Sequence, residues 1–168
     1  IISVDSALVY RGLNIGAAKP DAGILRIAPH RMIDIRDPHE VFSAADFAAE
    51  ALPHMQDLSA AGKVPLLVGG TGLYFRALMQ GLSAMPAADA VLRAQLQARL
   101  AEESLVRLHG QLKAVDPVSA ARIHPNDPQR ILRALEVYLV SGRTLTDWQA
   151  QSRPVAFPFQ VLELTLAP

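Results

Sequence analysis

The sequence contains no cysteine, little lysine, few aromatic residues and no long apolar run. The absence of cysteine excludes disulfides and thiolate chemistry and is typical of proteins in a reducing cytosol. No stretch approaches the roughly 18 to 20 apolar residues of a membrane helix, and no signal peptide is visible. Basic and acidic residues number 16 each, so no excess charge directs the protein towards nucleic acid or a membrane surface. We therefore expect a cytoplasmic protein without a membrane partner.

The composition is that of a chain able to bury a core. Hydrophobic residues make up 51% of the 168 residues and charged residues 19%, with a mean hydropathy of +0.20. The length suits one domain with a modest insertion. Lysine occurs only at Lys19, Lys63 and Lys113, so the other basic residues are arginines, whose guanidinium suits bidentate phosphate contacts. Genome base composition explains the same bias, so the bias alone assigns no function.

Strand and helix patterns alternate along the first half of the chain. The β-branched run at residues 1–5 predicts a buried strand already under way, and we expect an upstream piece to be missing. Residues 32–35 predict a second strand. A helix with capping signals at both ends is predicted over residues 43–62, with a kink or an early end at Pro53.

The alternation continues through a glycine turn. Residues 64–68 predict a third strand, which runs directly into the turn at residues 69–72 and a further helix that stops at Gly81. Strand, helix, strand, glycine turn and helix form the alternation of a parallel α/β sheet. We therefore predict an α/β core over residues 1–84.

Helical periodicity replaces this alternation in the second half, so residues 85–156 are predicted as a helical insertion. The apolar spacing predicts one long helix over residues 91–108. Asp116-Pro117 and Asp127-Pro128 each predict a helix start, and a short final helix is predicted around Trp148. Residues 157–168 are predicted as a strand that returns to the core, and we expect that the chain has been cut after it.

Two candidate groups meet at the carboxyl edge of the predicted sheet. The glycine turn at residues 69–72 offers free N–H groups and the positive end of a helix dipole to an anion, and Thr71 adds a hydroxyl. Asp5 ends the first strand at that edge, where it is a candidate general base or metal ligand. Both features also have structural explanations: a tight turn for the glycines, and a helix cap or ion pair for the carboxylate.

A further candidate lies in the helix that starts at Pro128. Arg130 and Arg133 are three residues apart and share a helix face, with Gln129 beside them. Such a face suits the reading of phosphates or bases, and a solvated face explains the same pattern. The five histidines show no ligand spacing, so no zinc site is predicted.

Taken in order, five segments resemble the bacterial tRNA dimethylallyltransferases, also called IPP transferases. Each segment alone is a weak signal, but the last is long and unusual, and together they span essentially the whole chain. The segments are residues 2–7 (ISVDSA), 16–20 (GAAKP), 30–34 (HRMID), 69–74 (GGTGLY) and 124–130 (HPNDPQR).

The resemblance implies a fold and a reaction. The fold is a P-loop kinase-like parallel-sheet core with a helical insertion domain. The reaction transfers a dimethylallyl group from dimethylallyl diphosphate to the exocyclic N6 amine of the adenine 3′-adjacent to the anticodon, in tRNAs that read codons beginning with U. The implied partners are the tRNA anticodon stem-loop and dimethylallyl diphosphate, and we expect a monomer.

The resemblance also implies roles for individual residues. The matching Asp5 accepts the proton from the amine, and the matching Thr71 contacts the substrate at the reaction centre. Gly69, Gly70 and Thr71 would bind the diphosphate. The residues that match family segments touching tRNA are Asp5, Ser6, Ala7, Leu8, Thr71, Arg93, Gln129, Arg130, Ile131, Leu132 and Arg133.

The sequence departs from the family pattern at both ends. A phosphate-binding loop ending in Gly-Lys-Thr or Gly-Lys-Ser, which precedes the first strand in family members, is absent here. The family's C-terminal helices are absent too. The family implies Mg²⁺ and nucleotide binding, ATP included, but the usual metal-binding hydroxyl lies in the missing loop, so no metal ligand is predicted in these residues. We therefore expect this chain alone to be inactive, although it belongs to an active enzyme.

Two other functions remain open from the residues alone. A P-loop small-molecule kinase would share the sheet and the anion-binding edge, and would place paired lid arginines in the inserted helices. The insertion instead offers Arg122, Arg130 and Arg133 without a paired lid motif. An RNA-binding module without chemistry would bind in a salt-dependent manner and would retain binding after loss of Asp5.

Overall fold

The computed structural model describes residues 1–83, 85–151 and 156–166, and these fall into two compact units. The sheet unit combines Ile1–Gly81 with residues 156–166, and the helical unit comprises residues 82–151. The division after Gly81 lies three residues before the predicted boundary at 84. None of the described helices is long and apolar enough to cross a membrane.

The described residues form two short strands and eight helices. The sheet unit contains β1 (Ile2–Ser3), α1 (Ala22–Ile27), α2 (Ala44–Ala60), β2 (Leu67–Val68) and α3 (Gly72–Gln80). The helical unit contains α4 (Ala90–Glu102), α5 (Leu105–Val115), α6 (Pro117–Arg122), α7 (Pro128–Ser141) and α8 (Leu145–Ala150). β1 and β2 pair in parallel, with Ile2 opposite Leu67 and Ser3 opposite Val68. The fold is therefore mixed α/β, mostly helical, with a small parallel sheet.

Local sequence signals explain the long helix of the sheet unit. Ser43 and Asp46 form a reciprocal capping box at the start of α2, which satisfies two backbone donors that the first turn leaves free. Pro53 lies inside α2, yet the helix continues to Ala60, so the predicted early end does not occur. Phe47 of α2 is fully buried and stacks on Tyr74 of α3 with ring centroids 4.5 Å apart. This pair joins the two helices within the core of the sheet unit.

The strand predicted over residues 32–35 is wrong. Met32 and Asp34 have φ values of 67° and 55°, and this left-handed backbone cannot continue a strand. Pairing is limited to single bridges, between Ile2 and Arg31 and between Tyr10 and Arg36. The apolar pattern still reports burial, because Met32 is 1% exposed.

Two further predictions about regular structure fail. The predicted helix over residues 91–108 is interrupted at Ser104, whose side chain accepts a hydrogen bond from Arg107 N and caps a new helix, α5. Residues 157–166 form no strand, because no neighbouring strand offers them a ladder of hydrogen bonds in the described ranges. Phe157 and Phe159 nevertheless pack on the core of the sheet unit. Ala167 and Pro168 lie outside the described residues.

A buried carboxylate joins two helices of the helical unit. Asp116 is 2% exposed. It accepts hydrogen bonds from Ser119 N at 2.9 Å and from Thr146 Oγ1 at 2.6 Å, and so links the start of α6 to α8. Burial acts to raise the pKa of this carboxyl, but the hydrogen bonds from Thr146 and Ser119 outweigh burial and hold its pKa below the ordinary value.

Asp116→Ala is expected to lower the free energy of unfolding by about 2–4 kcal/mol at pH 7, because it leaves buried donors unpaired. A carboxyl with a lowered folded-state pKa stabilises the fold above its unfolded pKa and loses that contribution as the pH falls through the folded pKa. The difference between variant and wild type should therefore shrink below about pH 4. Urea unfolding of both proteins at pH 7 and at pH 3 measures this difference in the free energy of unfolding. The same difference at both pH values would contradict this account.

Candidate active site and arginine-bearing helix face

The structure brings the turn after β1 against the start of α3. Thr71 N donates to Val4 O at 3.1 Å, which ties the glycine turn to the end of β1. Ser6 N donates to Thr71 Oγ1 at 3.0 Å, and Thr71 Oγ1 lies 3.4 Å from Ser6 Oγ. Thr71 occupies the N-cap position of α3, but its side chain makes no capping bond to the helix. The hydroxyl is therefore held at the sheet edge, in the region of Asp5.

The Asp5 carboxylate is fixed through one of its two oxygens. Oδ1 accepts hydrogen bonds from Ala7 N at 2.7 Å and from Leu8 N at 3.3 Å. No hydrogen bond from the described part of the chain reaches Oδ2. The predicted cap role and the predicted base role are thus both compatible with this geometry, because each uses a different oxygen.

An open cavity of about 350 Å³ lies at this edge of the sheet. Its lining includes Asp5, Leu8, His30 and Gly69. Ser3 also lines it: this residue is 2% exposed, and its Oγ has no hydrogen-bond partner among the described residues. A buried hydroxyl without a partner is costly, so this atom favours a polar group in the cavity.

Gly69 is required where it stands, because the backbone of β1 passes very close. A Cβ built on Gly69 would lie 2.1 Å from Val4 O, far inside van der Waals contact. Gly70 and Gly72 have nothing within 4 Å of a built Cβ. The tight-turn explanation therefore holds for Gly69, whereas Gly70 and Gly72 have open space where a side chain would stand, so close packing does not require glycine there.

A lysine that the sequence analysis did not single out supports the cavity wall. Lys19 Nζ, with a side chain only 5% exposed, donates to Asp34 Oδ1 at 2.6 Å and to Tyr10 O at 2.7 Å. Ala18 beside it has a φ of 50°, and Ala18 lines the cavity. Left-handed backbone at non-glycine residues is uncommon and concentrates at functional sites. The signals in the sequence were the rarity of lysine and the place of Lys19 in the segment at residues 16–20.

The described residues offer Mg²⁺ one carboxylate at the cavity and no cluster of protein ligands. They contain no group of three or more His, Asp or Glu side chains placed to hold a metal ion. Among the described residues that line the cavity, Asp5 is the one carboxylate. Magnesium in proteins usually combines one or two carboxylates with water and substrate phosphates.

The helix face predicted to read tRNA is only partly available. Gln129 and Arg130 are exposed at the start of α7, where Asp127 caps the helix through Arg130 N. Ile131 is fully buried and Leu132 is 9% exposed, both in the core of the helical unit. Their side chains pack between helices, so the predicted contact of these two positions with tRNA stays a prediction and would have to use their backbone.

A buried glutamate organises the remaining arginines. Glu136 in α7 is 1% exposed, and it pairs with Arg93 of α4 and with Arg133 of α7, each at 2.9 Å. Burial acts to raise the pKa of this carboxyl, but the hydrogen bonds from Arg93, Arg133 and Asp89 N outweigh burial and lower its pKa. Glu136 is not among the residues predicted from the sequence, although a single carboxylate inside an apolar helix stripe is a signal.

Comparison with known proteins is consistent with these features. The model of a family described as IPP transferase matches residues 8–168. The chain is 43% identical to a tRNA isopentenylpyrophosphate transferase from Bacillus halodurans, over 84% of this chain and 47% of that one, with a TM-score of 0.48. It is 37% identical to a tRNA delta(2)-isopentenylpyrophosphate transferase from Staphylococcus epidermidis, over 90% of this chain and 50% of that one, with a TM-score of 0.46.

The fold similarity is clearest with a third solved structure. This is a eukaryotic dimethylallyltransferase acting on tRNA, 25% identical over 93% of this chain and 39% of that one, with a TM-score of 0.70. The chain thus spans half the length or less of the three solved structures.

Proposed function

Because the chain belongs to the IPP transferase family, we propose that the protein containing it prenylates tRNA. The proposed reaction moves a dimethylallyl group from dimethylallyl diphosphate to N6 of the adenine 3′-adjacent to the anticodon, in tRNAs that read codons beginning with U. The observation that supports it best is the Asp5 carboxylate, which lines the cavity and is fixed through Oδ1, while the next residue, Ser6, holds the Thr71 hydroxyl.

In the proposed chemical step, one bond forms while another breaks. The N6 nitrogen forms a bond to the allylic carbon while the bond from that carbon to the diphosphate oxygen breaks. The diphosphate leaves with the bonding electrons, and the N6 proton passes to Asp5. An exocyclic aromatic amine is a weak nucleophile, so a positioned base that removes its proton lowers the barrier.

The hydrogen bonds at Asp5 prepare its carboxylate for this role. Ala7 N and Leu8 N both donate to Oδ1, which fixes the carboxylate before substrate arrives. The other oxygen can then accept the amine proton without first giving up an internal hydrogen bond. Thr71 Oγ1, held by Ser6 N, is proposed to contact the substrate at the reaction centre.

The leaving diphosphate is proposed to contact the glycine turn. Gly69 and Gly70 precede α3, a nine-residue helix whose N-terminus carries the positive end of its dipole. Negative charge that develops on the departing oxygens would be stabilised there by backbone N–H groups. We also propose that the protein containing this chain has a P-loop core and that this core makes further contacts to the diphosphate.

The target adenine must leave its stack to reach a cavity of this kind. Unstacking costs on the order of a few kcal/mol, which contacts to the loop and backbone of the tRNA must offset. We propose that the turn at residues 5–8 contacts the tRNA at the reaction centre. Gln129, Arg130, Arg133 and Arg93 are proposed to contact it from the helical unit.

The test is an assay with the full-length natural protein, Mg²⁺, dimethylallyl diphosphate and unmodified tRNA. After digestion of the tRNA, mass spectrometry should find an isopentenyl gain on adenosine, located beside the anticodon. A tRNA with guanosine in place of that adenosine is the matched control and should gain nothing. Phosphorylation of a small acceptor by ATP, with no gain on tRNA, would contradict the proposal and favour a kinase.

The double variant Arg130→Ala/Arg133→Ala is expected to weaken tRNA binding and to reduce its dependence on salt. Each lost contact to a single-stranded phosphate should reduce the slope of log K against log salt by about 0.7. Filter binding at several salt concentrations measures both quantities. Lys63→Ala, an exposed change in the sheet unit, is the control for charge alone. Binding of the double variant that matches wild type would remove both arginines from the interface.

A further inference from the structure

Three hydrogen-bond donors from different parts of the helical unit converge on the buried carboxylate of Glu136. Asp89 N donates to Oε1 at 2.9 Å. Arg93 Nη2 and Arg133 Nη1 both donate to Oε2 at 2.9 Å. Arg93 comes from α4 and Arg133 from α7, so one carboxylate fixes two guanidinium groups from two helices.

The arginines stay accessible although they are fixed. Their side chains are 47% and 32% exposed, against 2% for the side chain of Glu136. Arg133 is fixed a second time, because its Nη2 donates to Pro86 O at 2.8 Å. Each guanidinium has five N–H donors, so both retain donors for a further ligand. Two positive charges against one negative charge leave the cluster attractive to an anion.

We propose that Glu136 is a positioning residue that holds Arg93 and Arg133 as one preformed clamp for a tRNA phosphate. This inference rests on the proposed function and deepens it. A free arginine side chain must lose rotamer freedom when it binds, and a clamp formed beforehand avoids that loss on binding. Glu136 also reduces the net charge of the cluster, which weakens attraction to RNA that does not fit the clamp.

Glu136→Gln separates this role from simple packing, because the amide keeps the size of the side chain. Its nitrogen cannot accept, so it cannot satisfy Asp89 N and two guanidinium groups together. In the full-length protein, affinity for the anticodon stem-loop should fall about tenfold. Affinity for a poly(U) strand should stay equal or rise, and its salt slope should steepen by about 0.7, because one positive charge loses its partner.

Glu103→Gln is the matched control. Glu103 pairs with Arg99 at 2.9 Å and with Arg107 at 3.5 Å in the same unit, and none of these three residues is a predicted tRNA contact. This variant should leave both RNA affinities near wild type. With Glu136→Gln, KM for tRNA should rise about tenfold while kcat stays near wild type, since Glu136 touches no reacting atom.

Equal losses of affinity for both RNAs, or identical behaviour of the two variants, would overturn the proposal. Should Glu136→Gln fail to fold, NMR on the free wild-type protein decides instead. The guanidinium groups of Arg93 and Arg133 should be ordered before RNA is added, with order parameters near 0.85, the rigid-backbone value; values below about 0.6 would overturn the clamp. A wild-type protein that binds no tRNA would overturn the proposed function itself, which is a distinguishable outcome.

Discussion

Asp5→Asn is expected to slow prenyl transfer by about 10²- to 10⁴-fold while tRNA affinity stays near that of wild type. The asparagine keeps a side-chain oxygen at the position of Oδ1, where Ala7 N and Leu8 N donate. It removes only the basic oxygen, because an amide nitrogen cannot accept a proton. The variant therefore retains the turn and loses the base.

The comparison with Asp5→Ala makes the experiment decisive. Alanine removes both the acceptor for the turn and the base, so the two roles of Asp5 change together. If Asp5 is only a structural cap, Asp5→Asn should keep a near-normal rate and Asp5→Ala should lose it. If Asp5 is the base, both variants should lose the rate by a similar factor.

Single-turnover rates measured with the full-length protein and saturating tRNA report the transfer step itself. Binding of the anticodon stem-loop, measured separately, shows whether the turn at residues 5–8 remains intact. A rate for Asp5→Asn within a few-fold of wild type would end the assignment of Asp5 as the base. Loss of affinity parallel to loss of rate would assign it to tRNA contact instead.

The sequence predicted those elements whose signals are local. The cap at Ser43, the Asp-Pro starts of α6 and α7, and the short helix around Trp148 are all present where they were predicted. A capping side chain satisfies a donor within its own turn, so its signal needs no distant partner. The failure at residues 157–166 has the opposite cause: a strand exists only where another segment pairs with it, and periodicity does not specify the partner. At residues 32–35 the left-handed backbone of Met32 and Asp34 interrupts the strand, and periodicity does not report backbone conformation either.

The residues of the candidate site also differ in how far the sequence could predict them. Asp5 and the glycine turn were predictable, since both follow buried strands and the ends of parallel strands meet at one edge. The burial of Ile131 and Leu132 was predictable from the apolar helix stripe, whereas their contact with tRNA rests on the resemblance alone and stays a prediction. Glu136 could be assigned only after α4 and α7 were placed side by side, because its partner Arg93 lies 43 residues away.

Gly69→Ala is expected to destabilise the protein by about 3 kcal/mol, at the upper end for overpacking. The added Cβ would lie 2.1 Å from Val4 O and 2.4 Å from Val4 C, so it meets backbone rather than a flexible side chain. Relief requires the glycine turn to move away from β1. That movement would break the hydrogen bond from Thr71 N to Val4 O and displace the Thr71 hydroxyl from Ser6 N.

Gly72→Ala is the matched control, because it adds the same methyl group three residues further along. Nothing lies within 4 Å of a Cβ built there, and Gly72 is the first residue of α3. Alanine inside a helix is favoured over glycine by about 0.5–1 kcal/mol, so this variant should be neutral or slightly more stable. Chemical denaturation of both variants in parallel tests the close approach at Gly69. Equal stabilities would show that β1 and the glycine turn can separate without cost, and that Thr71 is not held at the sheet edge by this contact.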